Sequence, residues 1–515
     1  MHGPLQLSHQ SRSTRAAVVH AAHRRSEHEP RRHATFEPVN TPIASTPFGD
    51  FAGLHRDGVN IFKGIRYAHA DRFRASELAT DTWSDLKEAT TYGPQALQVP
   101  GIMEQMLGES KQPTSEDCLS LNVFTSGNGE QKPVIMWIHG GAFTNGGGSV
   151  PWYDGSNLVR AGNVVVVTIN YRLGAFGFRG RDNAGLSDQI SALEWVRANI
   201  ESFGGDPSNV TIMGESAGGA SVVALQATPM AADLFAKAFA MSPSIPQYRT
   251  RERADENVAE LLAAAQVDHP DDLVRMSADA LLEAQSKVLS TTRDQMTAFA
   301  PAVDDHYLPE HPSALAALDA RPLVIGTNRD EMHLYTAFDP KVSGMNEADA
   351  RGFFRDNFGS DDAYDVYARY RPDHSPGQIV SALQTDGVFR RPAHDLADAR
   401  HRHGHTTFAY WFTFATPVFD GVLGSCHALD IPFALRNLDR NGVEMFTGTS
   451  DLRTGLAENF SNAVLDFARS SEPGWSTWGE SRVTQILDTH TEIGRDIVAD
   501  PEPDIRRCWE QRGTQ

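Results

Sequence analysis

Short apolar runs, each ending at glycine or at a polar turn residue, recur along the middle of the chain. The three clearest runs, all rich in β-branched residues, lie at 133–141, 163–172 and 209–214. Runs of this kind are typical of strands that are buried on both faces, as in a parallel sheet. Residues 187–203, between the last two runs, carry apolar residues at helical spacing. We therefore predict a strand–helix–strand unit with a right-handed crossover.

Later parts of the chain extend this pattern. Further strands are predicted at 234–242, 321–328 and 406–414. The segments 251–300 and 341–402 have a helical pattern and contain no internal repeat. We expect residues 41–515 to form one α/β domain, with a mostly parallel central sheet flanked by helices and with helical cap insertions after the later strands.

The composition excludes several classes of function. The 515 residues are 40% hydrophobic and 22% charged, and no run approaches the roughly 18 apolar residues that span a bilayer, so no membrane association is expected. The net charge of −20 disfavours nucleic acid and anionic lipid as partners, because an acidic surface repels phosphate. The chain has only three cysteines, Cys118, Cys426 and Cys508. They allow at most one disulfide, which favours a reducing cytoplasm.

The first 40 residues differ from the rest, because arginine and histidine are frequent there. They lack the apolar stretch of about 7–15 residues that a secretory signal requires. Their histidines could bind metal and their basic side chains a polyanion, but polar terminal segments are most often disordered. We predict a disordered basic tail over residues 1–40.

The sequence Gly-Glu-Ser-Ala-Gly at 214–218 matches the nucleophile-elbow pattern G-x-S-x-G. This pattern requires a sharp turn from a strand into a helix, with glycines that let the two elements pass closely. The predicted strand at 209–214 precedes the serine, and the apolar segment 217–227 follows it. Because the context is the required one, we predict that Ser216 is a nucleophile.

The stretch Ile-His-Gly-Gly-Ala-Phe at 138–143 offers donors for the oxyanion that such a serine creates. Consecutive glycines directly after a strand present backbone N–H groups, as in the HGGG-type loop of esterases. We predict that Gly140 and Gly141 donate, with the N–H of Ala217 as the third donor. An ordinary glycine turn around a core His139 explains this stretch alone, but not its pairing with the elbow.

The general base should be a histidine that follows the acid in the chain order serine, acid, histidine. Among 20 histidines, His427 is the strongest candidate, because it follows the predicted strand at 406–414 on a glycine and serine loop. Three other histidines precede that strand and would face the wrong edge of the sheet: His401, His403 and His405.

The triad acid should follow a strand between the serine and the histidine, where it can orient the imidazole. Asp330 and Glu331 both stand just beyond the predicted strand at 321–328. Their chemistry is the same and their positions are adjacent. The residues alone therefore leave the choice between the two carboxylates open.

Further motifs point to a family. They are FKGIRYA at 62–68, SEDCLSLNVF at 115–124, NYRLGAFGF at 170–178, NAGLSDQ at 183–189, FGGDPSNVTIMGESAGG at 203–219, GTNRDE at 326–331 and an H-x-x-D-x-P-F run from 427. With these motifs in order over about residues 42–490, the chain resembles the type-B carboxylesterases of the α/β-hydrolase fold. That family includes bacterial para-nitrobenzyl esterases, liver carboxylesterases and cholinesterases.

The resemblance implies roles that the residues alone left open. In the family's D-E-G element the second carboxylate is the triad acid, which here is Glu331, and His427 is the base. Glu215, at the elbow, would lie near His427 and support its charged form. Two structural ion pairs are also implied: Arg72 with Glu116, and Arg172 with Asp188.

Departures from the family pattern bear on the thiols and the pocket. Secreted members pair the cysteine of E-D-C-L with an earlier cysteine. That position is Ala96 here, so Cys118 should be a free, buried thiol. The usual proline of G-I-P-Y-A is Arg66, the glycine after D-E is Met332, and the glycine of Q-S-G is Pro243. Met332 and Pro243 should lie close enough to the site to reshape its pocket.

Residues and resemblance together predict a serine hydrolase that cleaves small-molecule carboxylic esters through an acyl-enzyme. No cofactor is expected, and no metal, since His401, His403 and His405 could chelate only weakly and outside the site. Three aromatic side chains are candidates for the pocket and equally for plain core: Phe143, Phe176 and Phe299. The sequence leaves the oligomeric state open.

Two other functions fit parts of the sequence. An amide or carbamate hydrolase could use the same triad, because the difference lies in how well the leaving nitrogen is protonated. A non-catalytic binding protein of the same fold is the second alternative. Such relatives have lost the nucleophile, whereas all three triad positions are filled here, so we expect an ester hydrolase.

Overall fold

The computed structural model describes residues 41–101, 112–127, 129, 131–292 and 297–512. Thr41–Gln515 groups as one compact unit. The predicted disordered tail falls on residues 1–40, which lie outside the described residues, so it stays a prediction. None of the described helices is long and apolar enough to cross a membrane.

Most strands belong to one large sheet, and the others form small ribbons beside it. The strands are β1 Ile43–Thr46, β2 Gly49–Ala52, β3 Leu54–Arg56, β4 Val59–Arg66, β5 Ala68–His69, β6 Glu77–Leu78, β7 Lys87–Glu88, β8 Gln95–Ala96, β9 Thr114–Ser115, β10 Ser120–Thr125, β11 Lys132–Ile138, β12 Val165–Ile169, β13 Gly205–Glu215, β14 Lys237–Met241, β15 Leu323–Asn328, β16 Thr407–Phe412, β17 Val483–Leu487 and β18 Ile497–Ala499.

Helices cover the sheet and build the insertions. The α-helices are α1 Ser156–Gly162, α2 Gly174–Phe178, α3 Ala184–Asn199, α4 Ala217–Ala227, α5 Arg251–Ala265, α6 Pro270–Arg275, α7 Ala278–Thr291, α8 Pro312–Ala316, α9 His333–Thr336, α10 Pro340–Ser343, α11 Glu347–Phe358, α12 Asp362–Tyr370, α13 Pro376–Thr385, α14 Arg391–Arg402, α15 Ile431–Ala434, α16 Glu444–Thr447, α17 Leu452–Ser470 and α18 Pro503–Arg512. A π-helix spans Asp386–Arg390. Short 3-10 turns lie at Pro151–Tyr153, Ile200–Phe203, Pro229–Ala231, Ile245–Gln247 and Val418–Gly421.

The large sheet has eleven strands in the described residues, in the order β18-β17-β16-β15-β14-β13-β11-β12-β10-β4-β3. Its centre, from β12 to β17, is parallel throughout. Antiparallel pairs lie only at the margins, between β10 and its neighbours, β3 and β4, and β17 and β18. Because the carboxyl ends of parallel strands meet at one edge, the loops after β11, β13, β15 and β16 come together there.

The central strands are buried on both faces, which explains their nearly continuous apolar runs. Met136 of β11 packs into one core cluster together with Val223 of α4. The next residue, Trp137, faces the opposite cluster, which includes Phe460 of α17. Successive side chains of a strand alternate between faces, so a strand with helices on both sides needs apolar residues at every position.

The helical insertion has a small core of its own. Helices α11, α12 and α13 pack together with the final helix α18. Their shared apolar cluster includes Phe354, Tyr367, Leu383 and Ile505. The C-terminal segment is thus part of the insertion's packing.

The predicted α/β architecture with a mostly parallel central sheet is confirmed, and so are the six predicted strands, as β11 to β16. The predicted helix at 187–203 begins earlier, at Ala184, and its last turn is the 3-10 segment Ile200–Phe203. The strand–helix–strand unit is present, but β11 lies between β12 and β13 in the sheet. The outer strands β4, β10, β17 and β18 were not predicted from the apolar pattern.

Candidate active site

Ser216 occupies a sharp turn between the end of β13 and the first residue of α4. Its backbone has φ 58° and ψ −120°, a sparsely populated conformation that costs roughly 1–3 kcal/mol in residues other than glycine. Gly218 lets α4 cross β11 closely, because a Cβ there would collide with the carbonyl oxygen of Ile138. The local sequence therefore holds the serine on a strained turn at the carboxyl edge of the sheet.

Glu331 and His427 are joined directly at the same edge. Nδ1 of His427 lies 2.7 Å from Oε2 of Glu331. The other carboxylate oxygen, Oε1, accepts a hydrogen bond from the Ser242 hydroxyl at 2.6 Å and one from the Asn328 backbone N–H at 2.7 Å. With both oxygens engaged, the carboxylate can hold the imidazole in one orientation with its proton on Nδ1.

Asp330, the alternative acid, makes a different set of contacts. Its Oδ2 accepts hydrogen bonds from the Arg329 guanidinium and from the Ser425 backbone N–H, both at 2.9 Å. Burial alone would raise the pKa of Asp330, but Arg329 and His333 outweigh it and lower that pKa. No hydrogen bond or ion pair in the described part of the chain joins Asp330 to His427. The geometry therefore favours Glu331 as the triad acid.

His427 has a short contact with Glu331 but no hydrogen bond with Ser216 in the described part of the chain. Among the described residues, no hydrogen bond within 3.5 Å joins Ser216 Oγ to the imidazole. Nε2 of His427 instead lies 3.1 Å from Oε1 of Glu215, the residue before the serine. Catalytic hydrogen bonds are often long without substrate and tighten in the complex. The imidazole nitrogen that faces away from Glu331 therefore lies beside the residue that precedes the serine.

The electrostatic environment favours a positive charge on His427. Burial alone would lower the pKa of His427, but the carboxylates of Glu215 and Glu331 outweigh burial and raise it. Burial raises the pKa of Glu215, against the opposing effect of His427. Asp430 lies in the same buried group, and burial raises its pKa to about 7. A positive charge on this imidazole is thus stabilised in place.

The predicted oxyanion loop lies directly beside the elbow. A Cβ on Gly140 would stand 3.1 Å from Cβ of Ser216 and 2.7 Å from the carbonyl oxygen of Glu215, so only glycine fits there. Gly141 has φ 107°, a conformation that favours glycine. Ala217 begins α4, where backbone N–H groups have no intrahelical acceptor. Gly140 and Ala217 therefore border the serine, and Gly141 is the next residue of the same loop.

Several side chains at the site were missed by the sequence analysis. Ser242 and Asn328 donate hydrogen bonds to Glu331. Each is the last residue of a predicted strand, and this position at the sheet edge is the signal that could have identified them. Phe389 lies in the π-helix with its ring centroid 4.7 Å from that of His427. The centroid of the Tyr335 ring lies 5.8 Å from the centroid of the His427 ring. Single π-turns are common at functional sites, but no sequence pattern announces this one.

The three aromatic pocket candidates all belong to the large core cluster. Phe143 and Phe299 have no exposed surface, and Phe176 keeps only 4%. Phe143 packs edge-on against Phe178, with ring centroids 5.0 Å apart. A role of these rings in substrate binding stays a prediction, and the rings nearest to His427 are others.

Both ion pairs named in the sequence are present. Arg172 and Asp188 form a buried pair, with Nη2 of Arg172 2.6 Å from Oδ1 of Asp188. Arg72 binds both carboxylate oxygens of Glu116. Nη1 of Arg72 also donates to carbonyl oxygens at the end of α6, including that of Met276 at 2.6 Å. These pairs fasten loops around the sheet and do not contact the triad.

The positions that depart from the family pattern have their own partners. Arg66 pairs with the carboxylate of Asp117 at the surface. The backbone N–H of Met332 donates to the Thr385 hydroxyl at 3.1 Å, which ties the turn after Glu331 to α13. Cys118 is a free, buried thiol, and the other two cysteines are also free. Burial raises the pKa of Cys118, so its thiol stays protonated.

One group of side chains in the described residues could hold a metal ion. It consists of Asp330, His333 and His374, whose ligand atoms lie within 4.8 Å of one another. The sequence analysis did not identify this group, because His374 lies far from the others in the chain. The histidines that were considered there, His401, His403 and His405, are not part of it.

Comparison with known proteins gives a consistent result. Residues 40–496 match the family described as the carboxylesterase family. The chain is 37% identical over 495 residues to the para-nitrobenzyl esterase of Bacillus subtilis strain 168, covering 90% of this chain and 98% of that one. It is 32% identical over 480 residues to a probable N-octanoylanthranilate hydrolase of Rhodococcus erythropolis, covering 87% and 98%.

A solved structure shows the same likeness. The crystal structure of the Geobacillus stearothermophilus carboxylesterase Est55 superimposes with a TM-score of 0.80 at 33% sequence identity. The match covers 91% of this chain and 99% of that one. The similarity therefore extends over nearly the whole described part of the chain.

Proposed function

The chain belongs to the carboxylesterase family, and from that premise we propose that Ser216, His427 and Glu331 form its catalytic triad. The protein is a carboxylic ester hydrolase, so the non-catalytic alternative falls away. One observation carries the assignment of residues. Nδ1 of His427 lies 2.7 Å from Oε2 of Glu331, and Nε2 lies 3.1 Å from Oε1 of Glu215, the residue before the serine.

In the first step, Nε2 of His427 accepts the proton of the Ser216 hydroxyl as Oγ attacks the ester carbonyl carbon. The N–H groups of Gly140, Gly141 and Ala217 receive the negative charge that develops on the carbonyl oxygen. Collapse of this intermediate expels the alcohol, which takes its proton from the imidazolium, and leaves an acyl group on Oγ.

In the second step, a water molecule replaces the alcohol. His427 removes a proton from this water as it attacks the acyl carbon. The bond between that carbon and Oγ then breaks, Oγ takes the proton back from the imidazolium, and the carboxylic acid leaves. Throughout, the Glu331 carboxylate orients the imidazole and stabilises its positive charge. The strained backbone of Ser216 serves both steps, because it keeps Oγ clear of the sheet.

Amide hydrolysis is a second candidate activity. It is favoured by the relative named as a probable N-octanoylanthranilate hydrolase, since that name specifies an N-acyl substrate. The same triad would act, but the leaving nitrogen must be protonated by His427 before the bond breaks. The raised pKa of His427 keeps a proton available for that transfer.

The expected setting is the cytoplasm, with a small-molecule ester as substrate and no nucleic acid as partner. All three cysteines are free thiols, and the residue at the usual disulfide position is Ala96. The net charge of −20 opposes binding to phosphate backbones. These features support the proposal. A thiol titration on freshly prepared protein should give three reactive groups after unfolding without reductant.

A matched kinetic panel tests the activity. p-Nitrophenyl esters of increasing acyl length, each with the corresponding p-nitroanilide, are assayed with the wild type and Ser216→Ala. We expect esters to be turned over, anilides much more slowly, and both activities to vanish in the variant with its thermal transition unchanged. Turnover of esters by Ser216→Ala would contradict the assignment.

A further inference from the structure

A cluster of two imidazoles and one carboxylate lies at the turn that carries Glu331. Asp330 belongs to that turn, His333 begins the helix α9 that follows it, and His374 comes from the loop between α12 and α13. From this juxtaposition we propose a binding site for a divalent transition-metal ion, such as Zn²⁺, that links the sheet edge to the helical insertion. The site is separate from the triad and does not depend on it.

Asp330 has one carboxylate oxygen to spare. Oδ2 is held by the Arg329 guanidinium and by the Ser425 backbone N–H. Oδ1 has no hydrogen bond among the described residues, and it faces Nε2 of His374 at 4.0 Å. The carboxylate is therefore fixed through one oxygen and presents the other to the cluster, as a monodentate metal ligand does.

Both histidines bring a buried nitrogen without a partner. His333 is only 3% exposed, and its Nδ1 has no hydrogen-bond partner in the described residues. The same holds for Nε2 of His374. Burying such an atom unpaired costs about 1–3 kcal/mol, and nearly all buried polar atoms in proteins do have partners. Two unpaired nitrogens in a group whose ligand atoms lie within 4.8 Å of one another point to a missing ligand.

The donor set selects the type of ligand. Two neutral imidazole nitrogens and a carboxylate oxygen suit Zn²⁺, Cu²⁺ or Ni²⁺, whereas Mg²⁺ and Ca²⁺ prefer oxygen ligands alone. Zinc bound at about 2.0–2.1 Å by each ligand requires the donor atoms to stand roughly 3.3 Å apart. The present separations of up to 4.8 Å need only small side-chain rotations. A fourth position would remain for water.

Neighbouring charges determine the affinity that we expect for the metal ion. Arg329 and Arg371 are the nearby cations, and both are already paired, with Asp330 and Glu502 respectively. They oppose a second positive charge, so we expect moderate affinity, in the micromolar range rather than that of a closed structural zinc site. His374 keeps 22% of its side chain exposed, which leaves an entry path for the ion.

Bound metal would add a link between two parts of the fold that are already joined by hydrogen bonds, such as those from Met332 to Thr385 and between Thr336 and Ser381. Asp330 and His333 lie on the turn after β15 and at the start of α9, and His374 lies on the insertion whose core includes α18. Because the ion binds the folded state only, it should raise the thermal transition of the protein. This effect does not require catalytic activity and can be measured without substrate.

The test uses the untagged full chain, freed of metal by dialysis, with ZnCl₂ as the probe. Equilibrium dialysis and thermal unfolding are measured for the wild type, His374→Gln and His333→Gln. A double variant, His403→Gln with His405→Gln, serves as the control, because it removes two neighbouring histidines outside the cluster. His374 is half-buried, so its replacement should leave the fold intact even if that of His333 does not.

We expect the wild type and the control to bind one Zn²⁺ more per chain than His374→Gln. We also expect their transition to rise by roughly 2–3 °C at a hundredfold excess over the dissociation constant. His333→Gln should lose the same ion. Histidines of residues 1–40 are common to all variants and cancel in the difference. Equal stoichiometry and equal thermal shifts in the wild type and His374→Gln would overturn the proposal.

Discussion

Replacing Glu215 with glutamine should move the pH range in which the enzyme works. Its carboxylate lies 3.1 Å from Nε2 of His427, and both side chains are only 4% exposed, so water screens the pair very little. A negative charge at that distance stabilises the imidazolium and raises the pKa of His427. Glutamine has nearly the same shape but no charge, so the pKa of His427 should fall.

The size of the shift follows from Coulomb's law. At an effective dielectric constant of about 20, two unit charges roughly 3 Å apart interact by about 5 kcal/mol, or close to 4 pKa units, as an upper bound. Burial raises the pKa of Glu215 as well, so only part of its charge is present near neutral pH. We therefore expect a fall of about 1–2 units in the pKa of His427.

The assay is the pH dependence of kcat/KM for a short-chain p-nitrophenyl ester, which reports the base of the free enzyme. The base is active when it is neutral, so a lower pKa lets the Glu215→Gln variant keep its activity to lower pH. The acidic limb should move down by about 1–2 pH units. Glu480→Gln, at an exposed site, is the control and should leave the limb in place. An unmoved or raised limb for Glu215→Gln would refute the reasoning.

Three further predictions concern the triad acid Glu331, its partner Ser242, and the ion pair between Arg72 and Glu116. Glu331→Gln should lower kcat on the order of 10⁴-fold, whereas Asp330→Asn should cost far less; the reverse order would show that the acid is misassigned. Ser242→Ala removes the hydroxyl bound to Oε1 of Glu331, and steady-state kinetics should show a fall in kcat of roughly tenfold with KM little changed. Arg72→Ala loses Glu116 and the carbonyl oxygens at the end of α6, so urea unfolding should show about 2 kcal/mol less stability at unaltered kcat.

The central strands could be predicted because burial on both faces leaves an unambiguous apolar run, as in β12, where every residue is buried. The outer strands gave weaker signals. β18 is exposed along its whole length, so its side chains carry no pattern that burial imposes. β4 alternates only partly, because a kink at Gly64 interrupts it. Edge positions depend on pairing between distant segments, which local patterns do not encode.

The candidate site likewise contains some residues that the local sequence predicts and others that it does not. Ser216 and the glycine loop could be found because the turn and the donors demand particular residues at short spacing. The choice of Glu331 over Asp330 rested on resemblance, since two adjacent carboxylates look alike until Ser242 and His427 are seen to contact one of them. The cluster of Asp330, His333 and His374 needed the structure, because His374 meets the other two only after the insertion packs against the sheet.

The most direct test of the account is covalent trapping of the nucleophile. Diethyl p-nitrophenyl phosphate transfers its phosphoryl group to an activated serine and releases p-nitrophenolate, which is measured by absorbance while the adduct is located by peptide mass spectrometry. We predict one equivalent of p-nitrophenolate per chain, one modified residue, Ser216, and neither burst nor adduct in Ser216→Ala. A full burst from Ser216→Ala, or an adduct on a different residue, would contradict the assignment of the nucleophile.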